Sequence, residues 1–395
     1  MAAPTSLILD LTRLASRAGR MATGVDRVER AWLDACLADP RPVFGLVRTP
    51  LGFALLDRTG MAGFARAFDG DSWGRAGPVA ALFRRLDPPR RAAQGRVRAL
   101  AIARCSRRGL EGLLRRCLPS GAAYLNTGHA NLDDRVMRAL HGAGARVLVL
   151  VHDTIPLDLP QAAGPGSVAR FARRLDVVAH HADRVIATAQ ATAALIEARL
   201  AERGRVPPMV VAPLGVTPAS PDPTALPPGF DPAHPYMVVL GTIEPRKNHA
   251  LLLDVWERLG EDAPRLLICG ARGWNNAEVF ARLDRRVPGV CEMPGLSDAA
   301  VAALLGGARA LLFPSLAEGY GLPPLEALAL GCRVICGDLA ICRELLGEAV
   351  VYCDPTDRYQ WERAIRAHVA PPGLPPPRVP PPGWAAHVER ALRGL

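Results

Sequence analysis

Short runs that are apolar at every position recur along this chain, each followed by a stretch with helical spacing. AAYLNTGH (122–129), RVLVLVHD (146–153) and RVIATAQ (184–190) alternate with the helical DDRVMRALHGAG, SVARFARRLDVVAHH and TAALIEARLAER. A strand apolar at every residue is buried on both faces, so it belongs in a parallel sheet with helices on either side. Earlier, SLILDLT (6–12) reads as a first buried strand. It leads into a helix on which Val25, Val28, Trp32 and Leu33 recur at helical spacing. PVFGLVRT and GFALLD (42–57) read as a strand pair, and MVVAPLGV (209–216) closes the series.

TPASPDPTALPPGFDPAHP (217–235) then interrupts with seven prolines and no apolar run. Such a segment cannot pack as a core and marks a domain boundary. The pattern resumes with YMVVLGT (236–242), RLLICGARGW (265–274), VCEMPGL (290–296), ARALLFPS (308–315), CRVICGD (332–338) and AVVYCDP (349–355). A chain of 395 residues exceeds what one core holds. The expected architecture is α/β, with two Rossmann-like domains at 1–216 and 236–369 joined by the linker 217–235. Residues 370–395 add a Pro-rich stretch and a last helix with Trp384, Val388 and Leu392 on one face. The second half lacks a G-x-G-x-x-G fingerprint, which argues against NAD or FAD.

The chemistry concentrates between Pro314 and Pro355. The strand ending at Phe313 runs into the loop EGYGLPP, and a helix is expected from about Leu325, with Glu326 in its first turn. Glycines at a helix start gather unpaired N–H groups at the positive end of the helix dipole, which suits a phosphate or diphosphate. Glu318 and Glu326 bracket the loop. Acids beside an anion site are better placed to accept hydrogen bonds from hydroxyls, such as those of a ribose and a sugar. Arg246 and Lys247 follow the strand YMVVLGT and face the same crevice if the sheet is doubly wound. Two adjacent cations can neutralise a diphosphate as its charge grows. Lys247 is the single lysine among 48 Lys+Arg. His152 and Asp153 stand at the carboxyl end of VLVLV, where parallel sheets place ligands. Asp153 can equally cap a local turn. Gly24, after Thr23, opens a helix and offers either an anion or acceptor contact, or a plain helix start.

The formal charge is +10. From Arg84 to Arg116 eleven arginines stand against two acids, interleaved with apolar residues. Helices of this kind lie on anionic lipid or present a solvated face. No zinc finger, RNP-like aromatic pattern or recognition helix accompanies the charge, so no nucleic-acid partner is expected. Nine scattered cysteines without a C-x-x-C read as reduced core residues. DGD at 69–71 has no apolar strand before it, and no metal site is expected. No apolar run reaches the ~18–20 residues that span a bilayer, and the first one, broken by Asp10, is too short for a signal peptide. The expected location is cytoplasmic, with peripheral contact to the membrane's inner face through the Arg-rich stretch.

Glu318 and Glu326 in EGYGLPPLEAL resemble the E-x7-E motif of family 4 glycosyltransferases, group 1 type, which are retaining enzymes of the GT-B fold in bacterial surface-polysaccharide assembly. The likeness runs from about Pro235 to Pro355. GTIEPRKNH resembles that family's phosphate-binding loop, HDTIPLDLP its HD-x-x-P segment, and TGVDRV a variant of its first glycine loop without the paired glycines. The resemblance implies two domains facing across a cleft, with the last helix crossing back onto the first. Arg246 and Lys247, with backbone N–H groups around Gly321 and Leu322, would hold the diphosphate of a nucleotide-sugar. Glu326 would bind the ribose, Glu318 the sugar, and His152 would lie near the reacting carbon. No metal or other cofactor is implied. A mannose-type donor, GDP-mannose first, and a glycan or polyprenol-linked acceptor are the expectation. A nucleotide-sugar epimerase of the same fold and a non-catalytic GT-B subunit that binds a partner or membrane are the alternatives.

Overall fold

A computed structural model describes residues 4–70, 72–75, 77, 85–369 and 380–394. Its first sheet comprises β1 (Leu7–Asp10), β2 (Val43–Thr49), β3 (Gly52–Leu56), β4 (Ala103–Cys105), β5 (Ala123–Asn126), β6 (Arg146–Val151), β7 (Arg184–Ala187) and β8 (Met209–Val211), in the order β4-β3-β2-β1-β5-β6-β7-β8. The second comprises β9 (Tyr236–Leu240), β10 (Arg265–Cys269), β11 (Val290–Glu292), β12 (Leu311–Phe313), β13 (Val334–Gly337) and β14 (Val351–Cys353), in the order β11-β10-β9-β12-β13-β14. The second sheet is parallel throughout. In the first, β2–β3 and β3–β4 are antiparallel. The two residues joining β2 to β3 allow no crossover, so that edge departs from the all-parallel expectation.

Register places apolar residues side by side at the centre of each sheet. Leu9 lies opposite Gly45 and Leu125, and Val238 opposite Leu267 and Leu311. Each sheet changes winding direction at one point, between β1 and β5 and between β9 and β12. Crevices at the carboxyl ends of strands flanking such a point are where open α/β sheets bind ligands.

The Arg-rich stretch forms helices Pro88–Leu100 and Leu110–Cys117 around β4. Asp87 caps the first of them, accepting from Arg90 N at 3.0 Å. Arg84, with the rest of 78–84, lies outside the described residues, as do Asp71 of the DGD triplet and 370–379 of the Pro-rich segment. Asp69 pairs with Arg30. The linker is better anchored than its composition suggests: the Phe230 ring packs edge-on against Tyr236 at 5.3 Å, so one aromatic among the prolines attaches it to the second core.

The last helix, Trp384–Leu392, returns to the first sheet's unit. There His387 donates from Nδ1 to the Ala212 carbonyl at 2.9 Å and accepts at Nε2 from Trp32 Nε1 at 3.1 Å. All nine cysteines are free thiols, six of them buried. No helix among the described residues is long and apolar enough to cross a membrane.

Candidate active site

The loop after β9 is built to hold two cations against β12. A 3-10 turn at Pro245–Lys247 ends on Asn248, whose φ of 56° is in the left-handed region that asparagine tolerates better than most residues. Its Nδ2 donates to the carbonyls of Pro314 (3.2 Å) and Pro355 (2.8 Å), tying this loop to those after β12 and β14. Lys247 Nζ therefore reaches Glu318 Oε1 at 2.5 Å and lies 4.8 Å from the centre of the Phe313 ring. Arg246 Nη1 is 3.0 Å from Glu318 Oε2, and its Nε is 2.6 Å from Glu244 Oε1. The expected neighbours do form one cluster.

That cluster is buried: Lys247 is 8% exposed and Glu244 3%. Burial by itself would raise the Glu318 pKa, but Lys247 and Arg246 outweigh it and hold the carboxyl at about 2. Burial pulls the Lys247 ammonium below its ordinary value, and Glu318 opposes that. Two cations thus stand beside two carboxylates, a charge-balanced set that an entering anion must reorganise.

Gly321, at φ 105°, caps a helix that runs Leu322–Ala329, three residues ahead of the expected start. Pro323 and Pro324 occupy its first turn, where a missing N–H costs nothing. A proline pair that reads as loop is in fact the helix opening, and Glu326 consequently stands in the second turn, not the first. Prolines also remove two of the usual free donors, which leaves the N–H groups of Gly321 and Leu322 at this end. The Tyr320 hydroxyl donates to the Leu214 carbonyl at 2.9 Å, fixing the loop to the segment after β8.

His152 and Asp153 follow β6 and meet the same loop from across the cleft. A Cβ on Gly319 would lie 2.6 Å from the His152 carbonyl oxygen and 2.8 Å from Asp153 Cβ. The Gly319 carbonyl accepts from the hydroxyls of Thr192 (2.8 Å) and Thr188 (3.2 Å). The nearby carboxylate of Glu344 accepts from Gln190 N (2.7 Å) and Ala191 N (2.8 Å), at the start of the helix after β7. His152 donates from Nε2 to the Thr127 carbonyl at 2.7 Å, and burial lowers its pKa to about 4, so the ring is neutral near pH 7. Asp153 accepts from Ile155 N at 3.1 Å, a turn-capping contact, and burial raises its pKa against the pull of Arg246. Gly24 begins the helix Gly24–Ala38, where a Cβ would touch Leu322 Cδ1 at 3.6 Å. Of the nine expected residues, three form the ion cluster, and His152, Asp153 and Gly24 meet its loop and helix from the other unit.

Glu326 is placed differently: its Oε1 accepts from Arg27 Nη1 at 2.7 Å, and Arg27 Nη2 pairs with Asp298. Sequence reasoning passed over Arg27, although it lies within the quoted TGVDRV. It also passed over His129, which has φ 57°, donates from Nε2 to the Leu150 carbonyl at 2.8 Å, and sets its ring 5.4 Å from that of His152 at a tilt of 59°. Glu29, with Arg13 Nε at 3.5 Å, is fully buried with neither carboxylate oxygen hydrogen-bonded among the described residues. No spacing signal marks either residue.

Residues 227–372 match the family model described as glycosyl transferases group 1. The serotype-specific mannosyltransferase WbdA of Escherichia coli is 32% identical over 233 residues, which are 54% of this chain and 28% of WbdA. The O-antigen chain mannosyltransferase B of Escherichia coli is 32% identical over 139 residues, or 34% of this chain and 35% of that protein. This chain therefore spans only about a third or less of the length of these relatives. Among solved structures, Anabaena HepE in complex with UDP superposes with a TM-score of 0.57 at 12% identity, over 92% of this chain and 89% of HepE. The sucrose-phosphate synthase of Thermosynechococcus elongatus gives 0.59 at 15% identity, over 98% of this chain and 93% of that one. At such identities the fold is what is shared. The chain thus has the GT-B fold, and its residues 227–372 match the glycosyl transferases group 1 family model.

Proposed function

We propose that this chain is a retaining glycosyltransferase that moves a hexose, mannose first, from a nucleoside diphosphate-sugar to a glycan or polyprenol-linked acceptor in surface-polysaccharide assembly. The buried Lys247–Glu318–Arg246 cluster carries the reading. The mannosyltransferases among its relatives support the sugar, and the UDP held by HepE supports a nucleotide donor. GDP-mannose is the donor proposed.

Diphosphate oxygens replace Glu318 on Lys247 and Arg246, since a diphosphate brings more negative charge to the two cations than a single carboxylate does. Gly321 and Leu322 N–H groups add to the hold. Glu318, released, accepts from the sugar hydroxyls and stabilises positive charge at the anomeric carbon. The bond from that carbon to the β-phosphate oxygen breaks, its electron pair staying on the phosphate. An acceptor hydroxyl oxygen bonds to the carbon on the same face, and its proton passes to the leaving phosphate. His152, neutral and fixed by Thr127, lies beside this centre, with Asp153 and Gly24 on the acceptor side. No metal is needed where two side-chain cations supply the charge. The Arg-rich helices, with Ile102 and Leu51 about half exposed, serve as a peripheral contact to anionic lipid. Failure to sediment with anionic vesicles at low salt would remove that part alone.

Transfer of labelled mannose from GDP-mannose to a lipid-linked glycan tests the main reading. Lys247→Ala and Glu318→Ala, each folded, are expected to lose transfer. Substantial activity in both overturns it, and donor conversion without acceptor indicates an epimerase.

A further inference from the structure

The helix Gly24–Ala38 is held rigidly at its start. Fully buried Asp26 accepts from Thr23 N (2.8 Å), Arg13 Nε (2.9 Å) and Arg17 Nε (3.1 Å). The next residue, Arg27, leaves this network and crosses to the other unit, where its guanidinium joins two carboxylates, Glu326 at 2.7 Å and Asp298. The contact borders an inter-unit crevice of about 880 Å³, lined also by Leu322, Val301 and Trp384.

We infer that Arg27 is a positioning residue for the ribose of the donor: by holding Oε1 of Glu326 it turns Oε2 toward the ribose hydroxyls, and it does so only when the two units are closed. This deepens the proposed function and rests on Glu326 being the ribose acceptor. A diol is recognised by a carboxylate whose lone pairs are fixed in direction, and an Arg contact fixes them with charge-assisted hydrogen bonds. Glu326 has a side chain 15% exposed, and burial raises its pKa while Arg27 opposes the rise. Asp298 takes the second Nη and orients the guanidinium. The partners lie 299 positions apart in sequence and in different units, so the bond reports closure directly. Ribose recognition and closure therefore reinforce each other.

Calorimetric titration with GDP, UDP, their 2′,3′-dideoxy counterparts and inorganic pyrophosphate separates the possibilities. Wild-type chain is expected to prefer a ribonucleotide over its dideoxy form by about tenfold or more, the worth of a hydrogen bond to a charged group. Arg27→Gln is expected to lose most of that preference with pyrophosphate binding unchanged, and Arg27→Lys to keep part of it. The effect should vanish in a Glu326→Gln background. An intact preference in Arg27→Gln overturns the inference. So does an equal loss for pyrophosphate, which makes Arg27 a phosphate ligand, or a gain in GDP affinity, which makes it a competitor of the ribose. Should wild-type chain bind none of these ligands, the proposed function falls along with it.

Discussion

The backbone of Gly319 rests against His152 so closely that a methyl group on Gly319 would sit 2.6 Å from the His152 carbonyl oxygen. Two units that contribute opposite halves of the site meet at this contact, beside Glu318. Replacing Gly319 with Ala must push the loop or the units apart. A displacement near 1 Å in a positioned site can cost ~100-fold in rate. Gly319→Ala is expected to lower transfer by roughly that factor while Tm falls only slightly. Unchanged kcat/KM would show that the close approach has no part in function.

Asn248 ties three loops together through one side-chain nitrogen and holds a left-handed backbone. Asn248→Ala loses both hydrogen bonds and leaves an alanine where φ is positive. The expected destabilisation is about 1–3 kcal/mol. Donor affinity should weaken as well, because Arg246 and Lys247 lose their fixed position. Urea unfolding with a GDP titration reads both. Asn248→Gly, which relieves the backbone strain only, should recover part of the stability and little of the affinity.

Much of this site was legible because its residues share one topological address. Arg246, Lys247 and Glu318 each follow a strand beside the β9–β12 switch point, so apolar runs and loops alone place them together. Arg27 was not legible in that way, since its bond to Glu326 depends on how the two units sit, which strand pattern does not encode. The start of the helix at Leu322 was misplaced because Pro323-Pro324 suits a loop and a first helical turn equally well. β4 went unread because ARC (103–105) is three residues at a half-exposed edge, with no apolar run to announce it. His129 gave no signal: only burial against β6 and its ring contact with His152 single it out.

His387 links the last helix to the first unit, and its pKa is lowered to about 4, chiefly by burial, from the ordinary 6.5. An unfolded chain takes up this proton below pH 6.5, whereas the folded one does so only near 4. The ring's contribution is therefore complete above pH 6.5 and declines as pH falls toward 4, by about 1.4 kcal/mol per unit. Protonation at Nε2 also ends its acceptance from Trp32. Wild-type chain and His387→Gln should differ most in unfolding free energy near pH 7 and converge toward pH 4. A constant difference across that range would contradict the assignment.

Central to the proposed function is a pair of cations, Lys247 and Arg246, paired with Glu318 and Glu244 and transferred to a diphosphate when donor enters. Calorimetric titration of GDP and UDP into wild-type chain and Lys247→Ala tests this most directly. Wild-type chain should bind at least one of the two nucleotides, and Lys247→Ala, still folded, should bind it at least about tenfold more weakly, the loss of one charge-assisted hydrogen bond. Equal affinity in both proteins, or no nucleotide binding by wild-type chain, would contradict it.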